Sequence, residues 1–183
     1  MHLLPLIGQE RRERIDRISN NRLKNMQLYS ELTMIEEASK DLNVPVEKIN
    51  VLKTPEGKPY IKGFEDYHIS ISHCDGMILF ASHSSALGVD IEKPKSDYER
   101  IARRFFTEDE FKKIMNSPSP ADEFLLVWTR KEAFVKLTGE GLARALDSFN
   151  VYDEGAYIYK TESVVSGSSS QKYCYSYCFL KEN

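Results

Sequence analysis

Three acidic side chains and one lysine, carried by two distant segments, are the residues of this chain best suited to chemistry. The first segment is Gly88-Val89-Asp90-Ile91-Glu92. The second is Trp128-Thr129-Arg130-Lys131-Glu132-Ala133-Phe134-Val135-Lys136, closed by Gly139-Glu140-Gly141-Leu142. Alternate side chains of an extended strand share a face, so Asp90 and Glu92 point one way while Val89 and Ile91 enter a core. On a helix, Glu132 and Lys136 stand four residues apart and share a face. Packed together, such a strand and helix gather three carboxylates beside one ammonium. Bare like charges about 4 Å apart repel by roughly 4 kcal/mol at an effective dielectric near 20. A hard divalent cation such as Mg²⁺ reverses that sign, and it commonly combines a few carboxylates with waters and substrate phosphates. The lysine then reads as a phosphate contact. Singly, each element has a plainer reading: a D-x-E strand end is often a solvated edge, and K-E-x-x-x-K is an ordinary helical salt-bridge pattern. The combination and its glycine-flanked ends point to a site.

The elements that must position these residues follow from periodicity and turn chemistry. A short strand is expected over 2–7, a charged helix over 9–18 and a long helix over 21–42. In the long helix Leu23, Met26, Leu32, Ile35, Ala38 and Leu42 supply the apolar stripe. Strands are expected over 49–53, 67–73, 77–82 and 86–92, with Asp75-Gly76 as a hairpin turn. Helices follow over 97–106 and 121–138, and Thr107 with Glu110 forms a capping box for a short helix between them. Strands over 148–152, 156–161 and 172–180, with a flexible loop over 163–170, complete the expectation. The stripe Tyr173, Tyr175, Tyr177 and Phe179 is read as sheet-to-helix packing.

Bulk properties narrow the class. With 183 residues, 41% hydrophobic and a formal net charge of −3, the chain suits one compact unit or two small lobes sharing a core. The mild acidity excludes a general nucleic-acid binder. Arg11, Arg12, Arg14 and Arg17 are interleaved with Glu10, Glu13 and Asp16, which reads as a solvated helix. No apolar run approaches the roughly 18 residues needed to span a bilayer, and the N-terminus lacks the order of a signal peptide. Three cysteines without metal-ligand spacing fit a reducing, cytoplasmic setting. Cys74 beside His73 would point to the opposite strand face, which argues against a thiol–imidazole dyad.

The blocks G-V-D-I-E and W-T-R-K-E-A-F-V-K-L-T-G-E-G-L resemble those of 4′-phosphopantetheinyl transferases, particularly the surfactin-synthetase-activating type. The resemblance extends to Gly57-Lys58-Pro59, Ile69-Ser70-Ile71-Ser72-His73, Arg104-Phe105-Phe106-Thr107 with Glu110, and Leu146-Asp147-Ser148-Phe149. It covers residues 57 to 151. It implies an α+β fold of two similar α/β lobes related by a pseudo-two-fold, with the active site between them, residues 1–93 forming one lobe and 94–183 the other.

The implied activity is transfer of the phosphopantetheine arm of coenzyme A to a serine of an apo acyl- or peptidyl-carrier protein, releasing 3′,5′-ADP. By the same analogy Asp90, Glu92 and Glu132 would be Mg²⁺ ligands. Glu132 would also be the candidate base, directly or through a water, and Lys136 would contact the pyrophosphate. Ser72 and His73 match contacts to coenzyme A phosphate, and Lys58 matches a 3′-phosphate contact. Lys131 is read either as approaching phosphate or as a surface lysine. Two positions depart from the pattern: Ser70 stands where an asparagine is usual, and Met26 where an arginine meets coenzyme A, with Arg22 and Lys24 as nearby substitutes. The chain is also shorter than two-lobe members, mainly at its ends. Arg100, Arg103 and Arg104 with Phe105 and Phe106 offer cations and apolar surface to an acidic carrier, or else form an amphipathic helix with a phenylalanine in the core. A monomer is expected. Competing classes are a metal-dependent phosphodiesterase and a non-catalytic carrier-binding homologue.

Overall fold

The computed structural model describes residues 4–153, 157–165 and 171–180. Helix α1 (Gln9–Asp16) precedes the long helix α2 (Asn21–Leu42), which Asn20 caps by accepting a hydrogen bond from the Leu23 amide. Asn43, in the left-handed region at φ 52°, ends α2. Strands β1 (Val51–Lys53), β2 (Pro59–Ile61), β3 (His68–Cys74) and β4 (Met77–His83) form an antiparallel sheet in that order. Asp75 and Gly76 both take positive φ, 47° and 98°, as the two-residue β3–β4 turn requires. Met34, Ile35 and Ala38 of α2 pack on Val51, Ile61 and Ile69 to form the first core.

The second sheet is ordered β5-β7-β6, with β5 (Leu87–Glu92), β6 (Tyr157–Val165) and β7 (Lys172–Leu180), all antiparallel. The β5–β7 register places Gly88 opposite Cys178, Asp90 opposite Ser176 and Glu92 opposite Cys174. Helices α3 (Tyr98–Phe105), α4 (Glu108–Asn116) and α5 (Pro120–Thr138) follow β5 in the chain. The Thr107–Glu110 capping box opens α4, and Gly139 at φ 74° closes α5. The molecule is thus α+β with two sheets, as expected.

Several expectations are corrected. Residues Leu4–Leu6 form a 3-10 turn rather than a strand, while 1–3 lie outside the described residues. Residues 148–152 are not a strand: a 3-10 turn spans Leu146–Ser148, and side chains take the backbone groups that a ladder would use. Lys131 Nζ donates to the carbonyls of Leu146 and Phe149 (2.6 Å each), and Glu110 Oε1 accepts from the Val151 amide (2.9 Å). β6 continues to Val165, where a loop was expected from 163; residues 166–170 lie outside the described residues. The tyrosine stripe is not the β7 face that meets α5. Small residues of β7 face α5 instead: Cys178 packs with Ala133, Phe134 and Leu137, and Ser176 Oγ lies 2.7 Å from Thr129 Oγ1. Leu23 is 47% exposed, while Glu31 of α2 is buried against Arg11 (2.6 Å), so Arg11 is not part of a solvated face.

Close contact between β5 and α5 depends on Gly88. A Cβ there would stand 2.5 Å from the Leu137 amide nitrogen and overlap the Ala133 carbonyl, both of which are backbone. Gly88→Ala should destabilise the protein by more than the roughly 1–3 kcal/mol typical of overpacking. Chemical denaturation followed by far-UV circular dichroism measures the loss.

Candidate active site

Strand alternation and helix pitch bring the acidic residues together as the spacing suggests. Gly88, Asp90 and Glu92 lie on the β5 face that meets α5, and Lys136 reaches across to Asp90 Oδ1 at 2.8 Å. Lys136 therefore pairs with the strand, where the i,i+4 pattern alone suggested Glu132. Ser72 Oγ donates to the same Asp90 oxygen at 2.7 Å. The adjacent Ser70 Oγ accepts from the Val89 amide at 3.0 Å, which fixes β5 across β3. Asp90 is buried, and its second oxygen, Oδ2, has no hydrogen-bond partner. Glu92 accepts from Lys95 Nζ at 3.1 Å through Oε1, and its Oε2 lies 3.6 Å from Cys74 Sγ.

Glu132 completes the acidic group from α5. Burial first, then the charges of Asp90 and Glu92, raise its carboxyl above the usual range, with Lys136 and Lys95 opposing. Among the described residues no three His, Cys, Asp or Glu side chains stand already gathered at ligand distances, and Lys136 and Lys95 pair with oxygens of Asp90 and Glu92. The donor set nevertheless fits a hard divalent cation. It is all oxygen, Asp90 and Glu92 raise the proton affinity of Glu132, and an orphaned buried oxygen of Asp90 needs a positive partner.

Asp90, Glu92 and Lys136 border a cleft of about 380 Å³. Its lining runs from Asp90, Glu92 and Lys136 past Ser72 and His73 to Lys58, Lys53 and Gln27. Gln27 Nε2 donates to His73 Nε2 at 3.1 Å, and burial with the charge of Lys136 lowers the His73 pKa. Both effects favour a neutral imidazole. Lys58 Nζ donates to the Leu137 carbonyl at 2.6 Å, tying the turn at Gly57 to the end of α5, and burial lowers its pKa. The glycines after α5 serve this junction: Gly139 lies against Lys58 and Gly141 against Glu56.

Neither reading of Lys131 holds. It is fully buried, paired with Glu110 at 2.8 Å, and belongs to the core rather than to a phosphate site or the surface. Arg22 pairs with Asp75, and Lys24 with Asp16. The residues that sequence reasoning missed are Gln27, Lys53 and Lys95. Gln27 and Lys53 are brought to the cleft by chain-distant packing that no local pattern announces; Lys95, three residues after Glu92, had an i+3 signal that went unused.

A family model described as the 4′-phosphopantetheinyl transferase superfamily matches residues 86–178, and one for the N-terminal region of 4′-phosphopantetheinyl transferase matches residues 1–85. The chain is 32% identical to a 4′-phosphopantetheinyl transferase of Bacillus subtilis over 151 residues, 81% of this chain and 67% of that protein. It is 31% identical over 150 residues to 4′-phosphopantetheinyl transferase Sfp of Bacillus subtilis strain 168, with the same coverage. An L-aminoadipate-semialdehyde dehydrogenase-phosphopantetheinyl transferase of Xenopus laevis is 30% identical over 152 residues, 74% of this chain and 50% of that protein. The matches thus span between half and two thirds of these relatives.

The raised Glu132 pKa sets a stability trend. A carboxyl with a folded-state pKa above its unfolded value of 4.5 favours the fold when protonated, and that contribution is lost as pH rises through the folded value. Without divalent cations, Glu132→Gln should therefore melt higher than the parent at pH 7 to 8. The difference should shrink as the pH falls to 4.5, as differential scanning calorimetry across pH would register.

Proposed function

Because the chain belongs to the 4′-phosphopantetheinyl transferase superfamily, we propose that it transfers the 4′-phosphopantetheine arm of coenzyme A to a serine of an apo acyl- or peptidyl-carrier protein and releases 3′,5′-ADP. The observation that carries this reading is the junction of β5 and α5, where Asp90, Glu92 and Lys136 line one end of the cleft and partly buried Glu132 feels the charge of all three. The carrier serine oxygen bonds to the phosphorus nearer pantetheine, the P–O bond to the nucleotide breaks, and the bond's electrons leave on the 3′,5′-ADP phosphate. Glu132 takes the serine proton, directly or through a water; its raised proton affinity suits that role. Lys136 neutralises charge growing on the leaving phosphate while its contact with Asp90 keeps the ammonium in place.

Asp90, Glu92 and Glu132 are the residues that would hold Mg²⁺, which when bound would neutralise the diphosphate. Neutral His73, oriented by Gln27, and Ser72 are proposed to contact coenzyme A phosphate, with Lys58 toward its 3′-phosphate. Exposed Lys53 adds positive charge along the same cleft. Residues 1–93 and 94–183 are read as two lobes of one unit, since both line the cleft. That arrangement within one chain supports a monomer. The three cysteines, none in a disulfide among the described residues, accord with a cytoplasmic setting.

For the carrier, the outer side of α3 combines charge with apolar surface. Arg103 and Arg104 lie over the rings of Phe111 and Phe105, Phe105 is 39% exposed, and Phe106 is buried in the core. Such a surface suits an acidic domain.

Incubation with coenzyme A, Mg²⁺ and an apo carrier should add the mass of the arm to the carrier. Asp90→Ala should reduce the rate at least about 100-fold, the order of a lost electrostatic contact in a transition state. Full transfer by that variant would refute the site. Replacing Arg103 and Arg104 together with glutamate should raise the carrier KM by about tenfold or more, through lost electrostatic steering, and leave the coenzyme A KM unchanged. A changed coenzyme A KM would refute the docking surface.

A further inference from the structure

Lys95 sits just beyond β5 and makes two contacts at once. Its Nζ lies 3.1 Å from Glu92 Oε1 and 4.2 Å from the centroid of the Trp128 ring on α5. Trp128 is packed against Phe124 at 5.8 Å and Phe106 at 6.1 Å, so the ring is a fixed platform. The side chains of Lys95 and Glu92 are 26% and 23% exposed, which leaves the ammonium room to move.

Asp90 and Glu92 differ in what a second cation would meet. Lys136 and Ser72 both use Oδ1 of Asp90, and Oδ2 is left unpaired, so Asp90 can accept a further cation while keeping Lys136. Glu92 has a partner on each oxygen, Lys95 on Oε1 and Cys74 on Oε2. An ammonium and a divalent cation on one carboxylate repel each other, so ligation by Glu92 must loosen the Lys95 contact. The face of Trp128, which the ammonium already contacts, still holds it favourably once the Glu92 contact loosens.

We propose that Lys95 is a tethered counter-ion for Glu92: it competes with the divalent cation for that carboxylate, and when the cation binds it leaves Glu92 and settles against the Trp128 ring it already touches. The inference rests on the reading that Asp90, Glu92 and Glu132 hold the cation. Lys95 thereby tunes metal affinity as a positioning residue, and it touches no reacting atom.

Trp128 is the single tryptophan of the chain, so its emission reports on this movement directly. The test titrates MgCl₂ alone into the parent and Lys95→Met, followed by calorimetry and by tryptophan fluorescence. The parent should bind Mg²⁺ with a change in Trp128 emission. Lys95→Met should bind about two- to fivefold more tightly, the scale of one partly exposed ion pair removed as competitor, and its emission should no longer respond. Equal or weaker binding by Lys95→Met overturns the inference, as does an emission response that survives the substitution. Absence of Mg²⁺ binding by the parent would remove the metal reading itself, and the inference with it.

Discussion

The distance between β5 and α5 governs the rest of this molecule. Only a residue without a Cβ can stand at position 88, because the strand backbone lies directly against the Ala133 carbonyl and the Leu137 amide. From that point of closest approach, strand alternation sends Asp90 and Glu92 toward the helical turn that carries Glu132 and Lys136. β7 follows the same rule with small side chains: Cys174, Ser176 and Cys178 lie beneath α5 while the bulkier tyrosines turn to the other face. This group of four charged residues thus depends on small residues that have no chemistry of their own.

Gathering carboxylates in this way opposes folding, and the surrounding structure offsets it. Burial and like charge raise the proton affinity of Glu132, and the positive charge of Lys136 helps keep His73 neutral. One lysine therefore acts on both walls of the cleft. Packing elsewhere opposes that cost, including the aromatic group of Tyr98, Phe106, Phe124 and Trp128. The buried Lys131–Glu110 pair adds to it by binding the backbone of residues 146–151 to α4 and α5.

Much of this was legible in the sequence because it is local. The long helix α2, the Asp75-Gly76 turn, the Thr107–Glu110 capping box and the Gly139 stop are written in neighbouring residues. The carboxylate grouping was legible too, since two periodicities suffice to align its members. What escaped was set by chain-distant partners. Lys131 looks like any helical lysine until Glu110 and two carbonyls surround it. Val151 looks like a strand residue until a carboxylate takes its amide. Arg11 looks solvated until the buried Glu31 meets it. The tyrosine stripe misled because alternation fixes which residues share a face but not which face meets the helix.

The most direct measurement is a crystal structure of the protein with coenzyme A and Mn²⁺, using the anomalous signal of the metal. The account predicts one peak per chain between β5 and α5, bound by Asp90, Glu92 and Glu132, with the diphosphate of coenzyme A beside Lys136. A metal peak elsewhere, or coenzyme A lying outside the cleft bordered by Ser72, His73 and Lys136, would contradict it.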